Sequence, residues 1–193
     1  MQELVIASNN DGKKREIGLL LEDVRLLSLS DIGFKDEIPE PFQSFEENAF
    51  AKASTIYKYS GKNVFADDSG ICANSLDGRP GVNSAHCSGT RDDDKNLQYL
   101  LAEMNGVVDR SAYYKAVICL IWEDETYFFE GVCNGQIIEQ PKGDGGFGYD
   151  PIFVPEGYTR TFAELDMETK NHISHRGKAI RSMMEFLKDK ITQ

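Results

Sequence analysis

The sequence predicts an α/β protein with a partly antiparallel sheet, built as a single domain over residues 1–193. Three observations support this fold class. A strand, a loop and an amphipathic helix open the chain, helical and strand-like periodicities then alternate, and residues 111–122 and 126–139 are rich in β-formers. Of the 193 residues 40% are hydrophobic, which suffices for one sizeable core. No repeat or linker marks a domain boundary, so we expect one compact unit with room for two lobes.

The N-terminal half has the periodicity of short strands alternating with two helices. The predicted elements, in order, are the strand "ELVIAS", a helix over 13–22, a strand over 24–29, a helix over 45–59 and the buried strand "NVFADDSG", which ends in a turn. Ile17, Leu20 and Leu21 form the core side of the first helix. Ser44 and Glu47 fit a capping box, which fixes where the second helix begins.

The C-terminal half begins with a helix that opens on three aspartates at 92–94, and two strands follow, "SAYYKAVICLIW" and "TYFFEGVCNGQII". The last helix is identified by apolar residues at helical spacing: Ile180, Met183, Met184, Leu187 and Ile191. Ser174 is its predicted N-cap, and its first turn contains His175, Arg176 and Gly177. A cation there opposes the helix dipole, and glycine costs on the order of 1 kcal/mol relative to alanine. These residues should therefore serve a purpose other than helix formation.

The formal net charge of −11 argues against binding to nucleic acid polymers or to anionic membranes. An anionic ligand must then be small and held by local cations or by a metal ion. No stretch approaches the about 20 apolar residues of a membrane span, and the N-terminus lacks a signal-peptide pattern, so we expect a cytoplasmic protein. The four cysteines form no CxxC pair, which favours reduced, mostly buried thiols over a zinc site or disulfides.

Two lysines are candidates for binding phosphate. The segment "ASNNDGKKREI" passes from a strand into a helix, and Lys13 lies four residues before Ile17, on the core-facing side. In the next helix, Lys52 lies beside the apolar stripe of Ala49 and Ile56. Each lysine has an ordinary alternative, which is a capping turn with a solvated side chain for Lys13 and snorkelling for Lys52. Two lysines that point inward from separate helices are better explained if both bind the same anionic ligand.

Two adjacent carboxylates follow the apolar strand in "FADDSG". Neighbouring side chains of a strand point to opposite faces, so one of Asp67 and Asp68 should face the cleft while the other supports it. Mg²⁺ uses one or two carboxylates and completes its shell with water and substrate phosphates. Glu40, which lies between two prolines, is the candidate for a second carboxylate. An Asp-Asp-Ser-Gly turn is common, so this signal alone is weak.

Two further segments offer contacts to a flat base. "GDGGFGYDPIF" contains glycines that allow a close backbone approach, and Phe147 can lie against a ring. In "SHRGKA", Arg176 has planar donors suited to the O6 or N7 edge of a purine, and His175 adds another donor. The alternatives are a tight turn with core aromatics and a solvated first helical turn.

Six blocks together resemble the house-cleaning inosine triphosphate pyrophosphatases, also called the Ham1-like family. They are "ASNNDGKKREI", "SFEENAFAKA", "FADDSG", "PGVNSAH", "GGFGYDPIF" and "SHRGKA", in the family's order and from end to end of the chain. Six ordered blocks are far more specific than any one of them. The resemblance implies a two-lobed α/β fold with a long twisted mixed sheet flanked by helices, a central active-site cleft and, usually, a homodimer.

The same resemblance implies Mg²⁺-dependent hydrolysis of dITP, ITP and XTP to the monophosphate and pyrophosphate, which cleanses the nucleotide pool. It makes Asp68 a metal ligand and the general base, and Glu40 a further Mg²⁺ ligand. The residues that would hold the triphosphate are Ser8, Asn9, Asn10, Asp11, Gly12, Lys13 and Lys52. The residues that would contact the rest of the nucleotide are Ser69, Phe147, Gly148, Tyr149, Asp150, Lys170, His175 and Arg176.

One position departs from the family pattern. The arginine that usually follows "SA" in the "PGVNSAH" block is replaced here by His86. This replacement removes a fixed positive charge from the position.

Two other functions stay open. A Maf-like nucleotide pyrophosphatase would share the fold and the metal chemistry but prefer other bases, and the "SHRGKA" block argues against it. A non-catalytic nucleotide sensor would keep the lysines and the glycine-rich loop, but it would have no need for Asp68 and Glu40.

Overall fold

The computed structural model describes residues 2–18 and 24–191. Its strands are β1 (Gln2–Ile6), β2 (Val24–Leu27), β3 (Val64–Ala73), β4 (Ser111–Trp122), β5 (Glu125–Ile137) and β6 (Phe153–Pro155). Its α-helices are α1 (Asp11–Gly18), α2 (Phe45–Ser60), α3 (Asp93–Glu103), α4 (Met167–Ile173) and α5 (His175–Ile191). None of the helices in these ranges combines the length and the hydrophobicity that crossing a membrane requires.

The strands form a mixed sheet of six, in the order β2-β1-β3-β4-β5-β6 among the described residues. β1 pairs in parallel with β2 and with β3, and β6 pairs antiparallel with β5. A two-residue turn joins β4 to β5, in which Glu123 and Asp124 have left-handed φ angles of 50° and 70°. Such a turn matches the twist of an antiparallel hairpin. The predicted α/β class with a partly antiparallel sheet is confirmed.

The chain forms two compact units. The first unit comprises Met1–Asp68, Ala116–Gly131 and Arg176–Gln193, and the second comprises Ser69–Lys115 and Val132–His175. Each unit has its own hydrophobic core. The first-unit core includes Leu4, Ile6, Ile17, Phe65, Ile118, Trp122, Ile180, Met183 and Leu187. The second-unit core includes Ile71, Leu97, Leu100, Met104, Tyr114, Tyr149, Phe153 and Phe162. The single domain predicted over residues 1–193 stays a prediction.

The predicted start of α2 at Phe45 is confirmed by its cap, and the helix runs one residue past its predicted end, to Ser60. The Ser44 hydroxyl oxygen accepts a hydrogen bond from the Glu47 backbone N–H and donates one to the Glu47 carboxylate. At the other end, Gly61 takes the left-handed conformation, and its N–H donates to the Tyr57 carbonyl oxygen. The Ser44 side-chain cap and the left-handed glycine satisfy backbone groups that the helix itself leaves unpaired, while the Glu47 carboxylate contacts the Ser44 hydroxyl and not its backbone N–H.

The two terminal helices differ in how far the structure tests their predictions. In α5, the helical start at His175 and the predicted core-facing stripe are confirmed, because Ile180, Met183 and Leu187 are fully buried. In α1, Ile17 is fully buried as predicted. The predicted core residues Leu20 and Leu21 lie outside the described residues.

The prediction that "DDSG" forms a turn at the end of a strand was wrong. β3 continues through these four residues as far as Ala73. The carboxylates remain inside the strand because buried cations neutralise them, as described below. Gly70 is required by close packing, since a Cβ atom there would lie 2.2 Å from the carbonyl oxygen of Gly81.

Candidate active site

The loop after β1 caps helix α1 and directs Lys13. The Asn10 side-chain oxygen accepts a hydrogen bond from the Lys13 backbone N–H at 2.9 Å, and the Asn10 N–H donates to the Ser8 hydroxyl at 3.1 Å. The loop is therefore the capping turn that the sequence offered as an alternative. The Lys13 side chain is nevertheless only 14% exposed, so it is not the solvated lysine of that alternative.

Lys13 and Lys52 converge on one residue of β3. Lys13 Nζ lies 2.7 Å from Asp67 Oδ2 and donates to the Asp67 carbonyl oxygen at 3.3 Å. Lys52 Nζ, which comes from α2, donates to the same carbonyl oxygen at 2.9 Å. The predicted inward orientation of both lysines is confirmed. They place two ammonium groups against a single backbone carbonyl.

Lys52 also brings together the two carboxylates predicted to bind metal. Its Nζ donates to Asp68 Oδ1 at 3.0 Å and forms an ion pair with Glu40. Burial alone would lower the pKa of Lys52, but Asp68 and Glu40 outweigh it and raise that pKa above its ordinary value. The ammonium therefore stays protonated and holds Asp68 and Glu40 at one place.

The second carboxylate oxygen of Asp68 makes this group suitable for a metal ion. Asp68 Oδ2 is buried and has no hydrogen-bond partner among residues 2–18 and 24–191. In the same ranges, no three His, Cys, Asp or Glu side chains come close enough to bind a metal ion by themselves. Mg²⁺ needs only one or two protein carboxylates, because water and substrate phosphates supply its other ligands. Asp68 and Glu40 thus fit Mg²⁺ bound together with a nucleotide.

The environment of Asp68 also suits a proton acceptor. Burial raises its pKa above the ordinary value, and the nearby Lys52 only partly opposes that effect. A carboxylate whose pKa moves toward neutrality is a stronger base than a solvated one. The same group is therefore suited to binding a cation and to accepting a proton.

The ion pairs of Arg176 explain why a cation lies in the first turn of helix α5. Its guanidinium pairs with Glu16 of α1, and its Nε lies 3.4 Å from Asp67 Oδ2. Burial would raise the pKa of Asp67, but Lys13 and Arg176 outweigh it and hold that pKa well below its ordinary value. Arg176 therefore has a structural role that the sequence prediction did not include, and its contact with the base stays a prediction.

Glu16 is the buried residue that sequence reasoning missed in the first unit. It is 2% exposed although it carries a charge. A signal was present, because Glu16 follows Lys13 by three residues and immediately precedes the core residue Ile17. A carboxylate at that spacing shares the inward face of a helix with the lysine.

The second unit contains several residues that were predicted to contact the nucleotide. Lys170 Nζ lies 2.5 Å from Asp150 Oδ2, and both side chains are 4% exposed. The Phe147 backbone N–H donates to Asp150 Oδ2 at 2.9 Å, and Lys170 Nζ lies 5.2 Å from the centre of the Phe147 ring. Gly146 makes this fold of the loop feasible, because a Cβ atom there would lie 2.0 Å from Asp150 Oδ2.

The other predicted residues of the second unit have different surroundings. His175 is buried, and its ring stacks on Tyr114. Ser69 is half-buried in β3, and the Gly148 N–H donates to Asp93 of α3 at 3.0 Å. The Tyr149 hydroxyl donates to the Ser84 carbonyl oxygen at 2.6 Å, so its side chain belongs to the core. That structural role was not part of the predicted nucleotide contact.

His86, the departure from the family pattern, borders a cavity of about 220 Å³ in the second unit whose lining also includes Arg79, Tyr99 and Glu103. Arg79 is already paired with Glu103 at 2.6 Å. Among the described residues, no hydrogen-bond partner contacts the buried Nδ1 of His86.

Comparisons with known proteins agree over nearly the full chain. The sequence model of the Ham1 family matches residues 4–186. The dITP/XTP pyrophosphatase of Flavobacterium psychrophilum is 45% identical over 189 residues, which are 97% of this chain and 100% of the relative. The dITP/XTP pyrophosphatase of Bacillus licheniformis is 46% identical over 195 residues, covering 97% of this chain and 98% of the relative.

Solved structures give the same result. The Ham1 protein of Staphylococcus aureus superimposes with a TM-score of 0.89 at 37% identity, covering 98% of this chain and 100% of that chain. A HAM1 protein from Coxiella burnetii superimposes with a TM-score of 0.90 at 36% identity, again over 98% of this chain and 100% of that chain. By sequence and by fold, this chain belongs to the Ham1 family.

Proposed function

We propose that this enzyme hydrolyses dITP, XTP and ITP to the nucleoside monophosphate and pyrophosphate, and that it requires Mg²⁺. The relatives named dITP/XTP pyrophosphatases support the first two substrates. The observation that carries the proposal is the group in the first unit made by Lys13, Lys52, Asp68 and Glu40. It combines the buried ammonium group of Lys52 and the partly buried one of Lys13 with a carboxylate oxygen that has no hydrogen-bond partner in the described ranges.

The charges of this group suit a triphosphate. A triphosphate carries about four negative charges and would be repelled by a protein of net charge −11 unless local cations neutralise it. Lys13 and Lys52 provide two such cations, and the N-terminus of α1 adds the partial positive charge of the helix dipole. When bound by Asp68 and Glu40, Mg²⁺ supplies further positive charge at the phosphates.

In the proposed reaction Asp68 acts as the general base. A water molecule attacks the α-phosphorus, and a bond forms between the water oxygen and that phosphorus. The bond from the α-phosphorus to the bridging oxygen breaks, and pyrophosphate leaves with the electron pair. Asp68 accepts the proton of the water, and Lys13 and Lys52 stabilise the negative charge of the phosphates. No covalent intermediate is needed.

Selection of the base is assigned to residues of the glycine-rich loop and of the two C-terminal helices. The base is recognised by Phe147, Asp150, Lys170, His175 and Arg176, of which all but the half-buried Phe147 are buried. A 6-keto purine offers an acceptor where adenine has an amino donor, and donors aimed at O6 would leave that amino group without a partner. A mispaired buried polar group costs about 1–3 kcal/mol, which favours dITP over dATP.

We also propose that the enzyme acts in the cytoplasm as a homodimer. Support for a dimer comes from large apolar side chains at the surface of the first unit, where Phe50 is 45% exposed and Phe128 is 49% exposed. Exposed aromatic residues are typical of association surfaces. Light scattering at micromolar concentration should give twice the mass of the 21.6 kDa chain. A mass of one chain would contradict the dimer.

The test is release of pyrophosphate from dITP, measured with and without Mg²⁺, for the wild type and Asp68→Asn. We expect Mg²⁺-dependent release by the wild type and a loss of about 10²–10⁴-fold in Asp68→Asn, because the substitution removes the base and a metal charge but little volume. Asp94→Asn, at an exposed position of α3, is the matched control and should retain activity. Wild-type turnover in Asp68→Asn would contradict the proposed function.

The same assay separates the alternative functions. A Maf-like enzyme would release pyrophosphate from other nucleotides in preference to dITP. A nucleotide sensor would bind dITP without releasing pyrophosphate at all.

A further inference from the structure

We propose that Tyr114 is a positioning residue that fixes the His175 imidazole for recognition of the base. This inference rests on the proposed function and adds a specificity-determining residue to it. The rings of Tyr114 and His175 are stacked, with centroids 4.5 Å apart and planes inclined by only 7°. Both residues are buried in the second unit, with exposures of 7% for Tyr114 and 3% for His175.

The Tyr114 ring is itself held by two other aromatic side chains. Phe153 meets it edge-on, with a centroid distance of 4.8 Å and an angle of 72° between the planes. Phe162 stacks on it at 5.8 Å and 29°. Phe153 and Phe162 also contact each other at 5.1 Å. A ring packed on these two others cannot turn freely, so Tyr114 presents a fixed face to His175.

The aromatic group formed by Tyr114, Phe153 and Phe162 also contacts Lys170, a cation among the residues proposed to recognise the base. Lys170 Nζ lies 5.6 Å from the centre of the Phe162 ring, and it is paired with Asp150. A cation over an aromatic face is attracted by the ring. The aromatic group therefore connects His175 with Lys170, which are both predicted to contact the nucleotide.

His175 is the first residue of α5 and follows the end of α4 at Ile173 after a single residue, Ser174. Stacking on Tyr114 limits rotation of the imidazole and fixes the plane in which its ring nitrogens can act. A donor that is oriented before binding costs less ordering on binding. Tyr114 thus increases selectivity for the base through His175, without a contact of its own to the substrate.

The first test is a nuclear magnetic resonance measurement that does not depend on activity. The chain has three histidines, so the imidazole C–H signals can be resolved and His175 assigned by their loss in His175→Gln. A stacked tyrosine should shift the His175 signals upfield from those of the exposed His172. Tyr114→Phe should preserve this shift, and Tyr114→Leu should abolish it. Unshifted His175 signals in the wild-type protein would overturn the proposal without any variant in the core.

The second test is the ratio of kcat/KM for dITP to that for dATP. Tyr114→Leu should lower kcat/KM for dITP by about 3–10-fold, the value of one aromatic pair, while dATP hydrolysis falls less. Tyr114→Phe should keep the wild-type ratio. Tyr113→Leu is the matched control, since it makes the same change at the neighbouring residue of β4, and it should also keep the ratio.

Equal losses for dITP and dATP in Tyr114→Leu would show a purely structural role and overturn the proposal. Failure of the proposed function would look different, because the wild type would then release no pyrophosphate from dITP while the His175 signals remained shifted.

Discussion

The ammonium nitrogen of Lys52 lies 3.0 Å from Oδ1 of Asp68, and both side chains are 7% exposed. The ammonium group neutralises the buried carboxylate of Asp68, whose second oxygen makes no hydrogen bond within the described ranges. A buried charge without a partner would cost several kcal/mol, so Lys52 makes the position of Asp68 possible. In the proposed function Lys52 therefore supports Asp68 as the general base and also binds phosphate, whereas Lys13 pairs with Asp67.

The two lysines should accordingly differ in their kinetic effects. Lys13→Met and Lys52→Met should each weaken binding of dITP by about tenfold or more, as expected for a charge-assisted hydrogen bond, and weaken binding of dIMP much less. Lys52→Met should also lower kcat, because Asp68 loses its partner. Calorimetry in the Asp68→Asn background measures affinity without turnover. Lys14→Met, next along α1 and paired with the exposed Asp11, is the control. Equal losses of dITP and dIMP affinity would place the lysines away from the phosphates.

Removal of Arg176 should destabilise the protein. Arg176→Ala removes the guanidinium that is paired with the buried Glu16 and takes one cation away from Asp67, so the free energy of unfolding should fall by about 3–5 kcal/mol. Lys178→Ala, at an exposed position of the same helical turn, should change it little. Urea denaturation followed by circular dichroism measures both. An unchanged midpoint in Arg176→Ala would show that the ion pairs contribute nothing to stability.

The predicted contact of Arg176 with the base can be tested on the same variant. If the guanidinium donates to O6, Arg176→Ala should lower kcat/KM for dITP by about 10–100-fold and that for dATP much less. Equal losses for both substrates would assign Arg176 to the ion pairs alone.

Gly146 should tolerate no side chain. In Gly146→Ala, the new Cβ would overlap Asp150 Oδ2, which is held by Lys170 and by the Phe147 N–H. Gly157→Ala is the matched control, because Gly157 also has a left-handed φ, of 82°, but no atom within 4 Å of the added Cβ. The control should lose only the left-handed strain of about 1–2 kcal/mol. Thermal unfolding should show a clearly larger loss for Gly146→Ala, and equal losses would contradict the close contact.

The cysteines should differ in reactivity. All four are free, three are buried, and Cys87 is half-buried. Burial raises the pKa of Cys119 to about 12, so its reactive thiolate is scarce at pH values near 8 and becomes abundant only as the pH rises through that value. Iodoacetamide near pH 8 should therefore label Cys87 first, and all four cysteines only in urea, as measured by mass spectrometry. Rapid labelling of Cys119 in the folded protein would contradict its burial.

The sequence predicted helices better than it predicted the course of β3. Helix α2 has two caps with unambiguous residue types, Ser44 and Gly61, and α5 has a regular apolar stripe. The segment "DDSG" resembles a turn because aspartate, serine and glycine favour turns. Whether Asp67 stays in a strand depends on cations from α1 and α5, which are far away in the sequence. No local pattern contains that information.

In the candidate site too, the residues with a local sequence signal were predicted, and those that depend on a distant partner were missed. The inward direction of Lys13 and Lys52 follows from helical spacing alone, and the structure confirms it. Glu16 and Tyr114 were missed because each acts through a partner that is distant in the chain, Arg176 for one and His175 for the other. A buried carboxylate or a tyrosine in a strand is ordinary until its neighbour is known.

The most direct test of the account is hydrolysis of dITP by the wild-type enzyme in water labelled with oxygen-18, with both products analysed by mass spectrometry. If a water molecule attacks the α-phosphorus with Asp68 as its base, the products are dIMP carrying one labelled oxygen and unlabelled pyrophosphate. Label in the pyrophosphate, or formation of dIDP and inorganic phosphate, would contradict the account, because attack would then occur at another phosphorus atom.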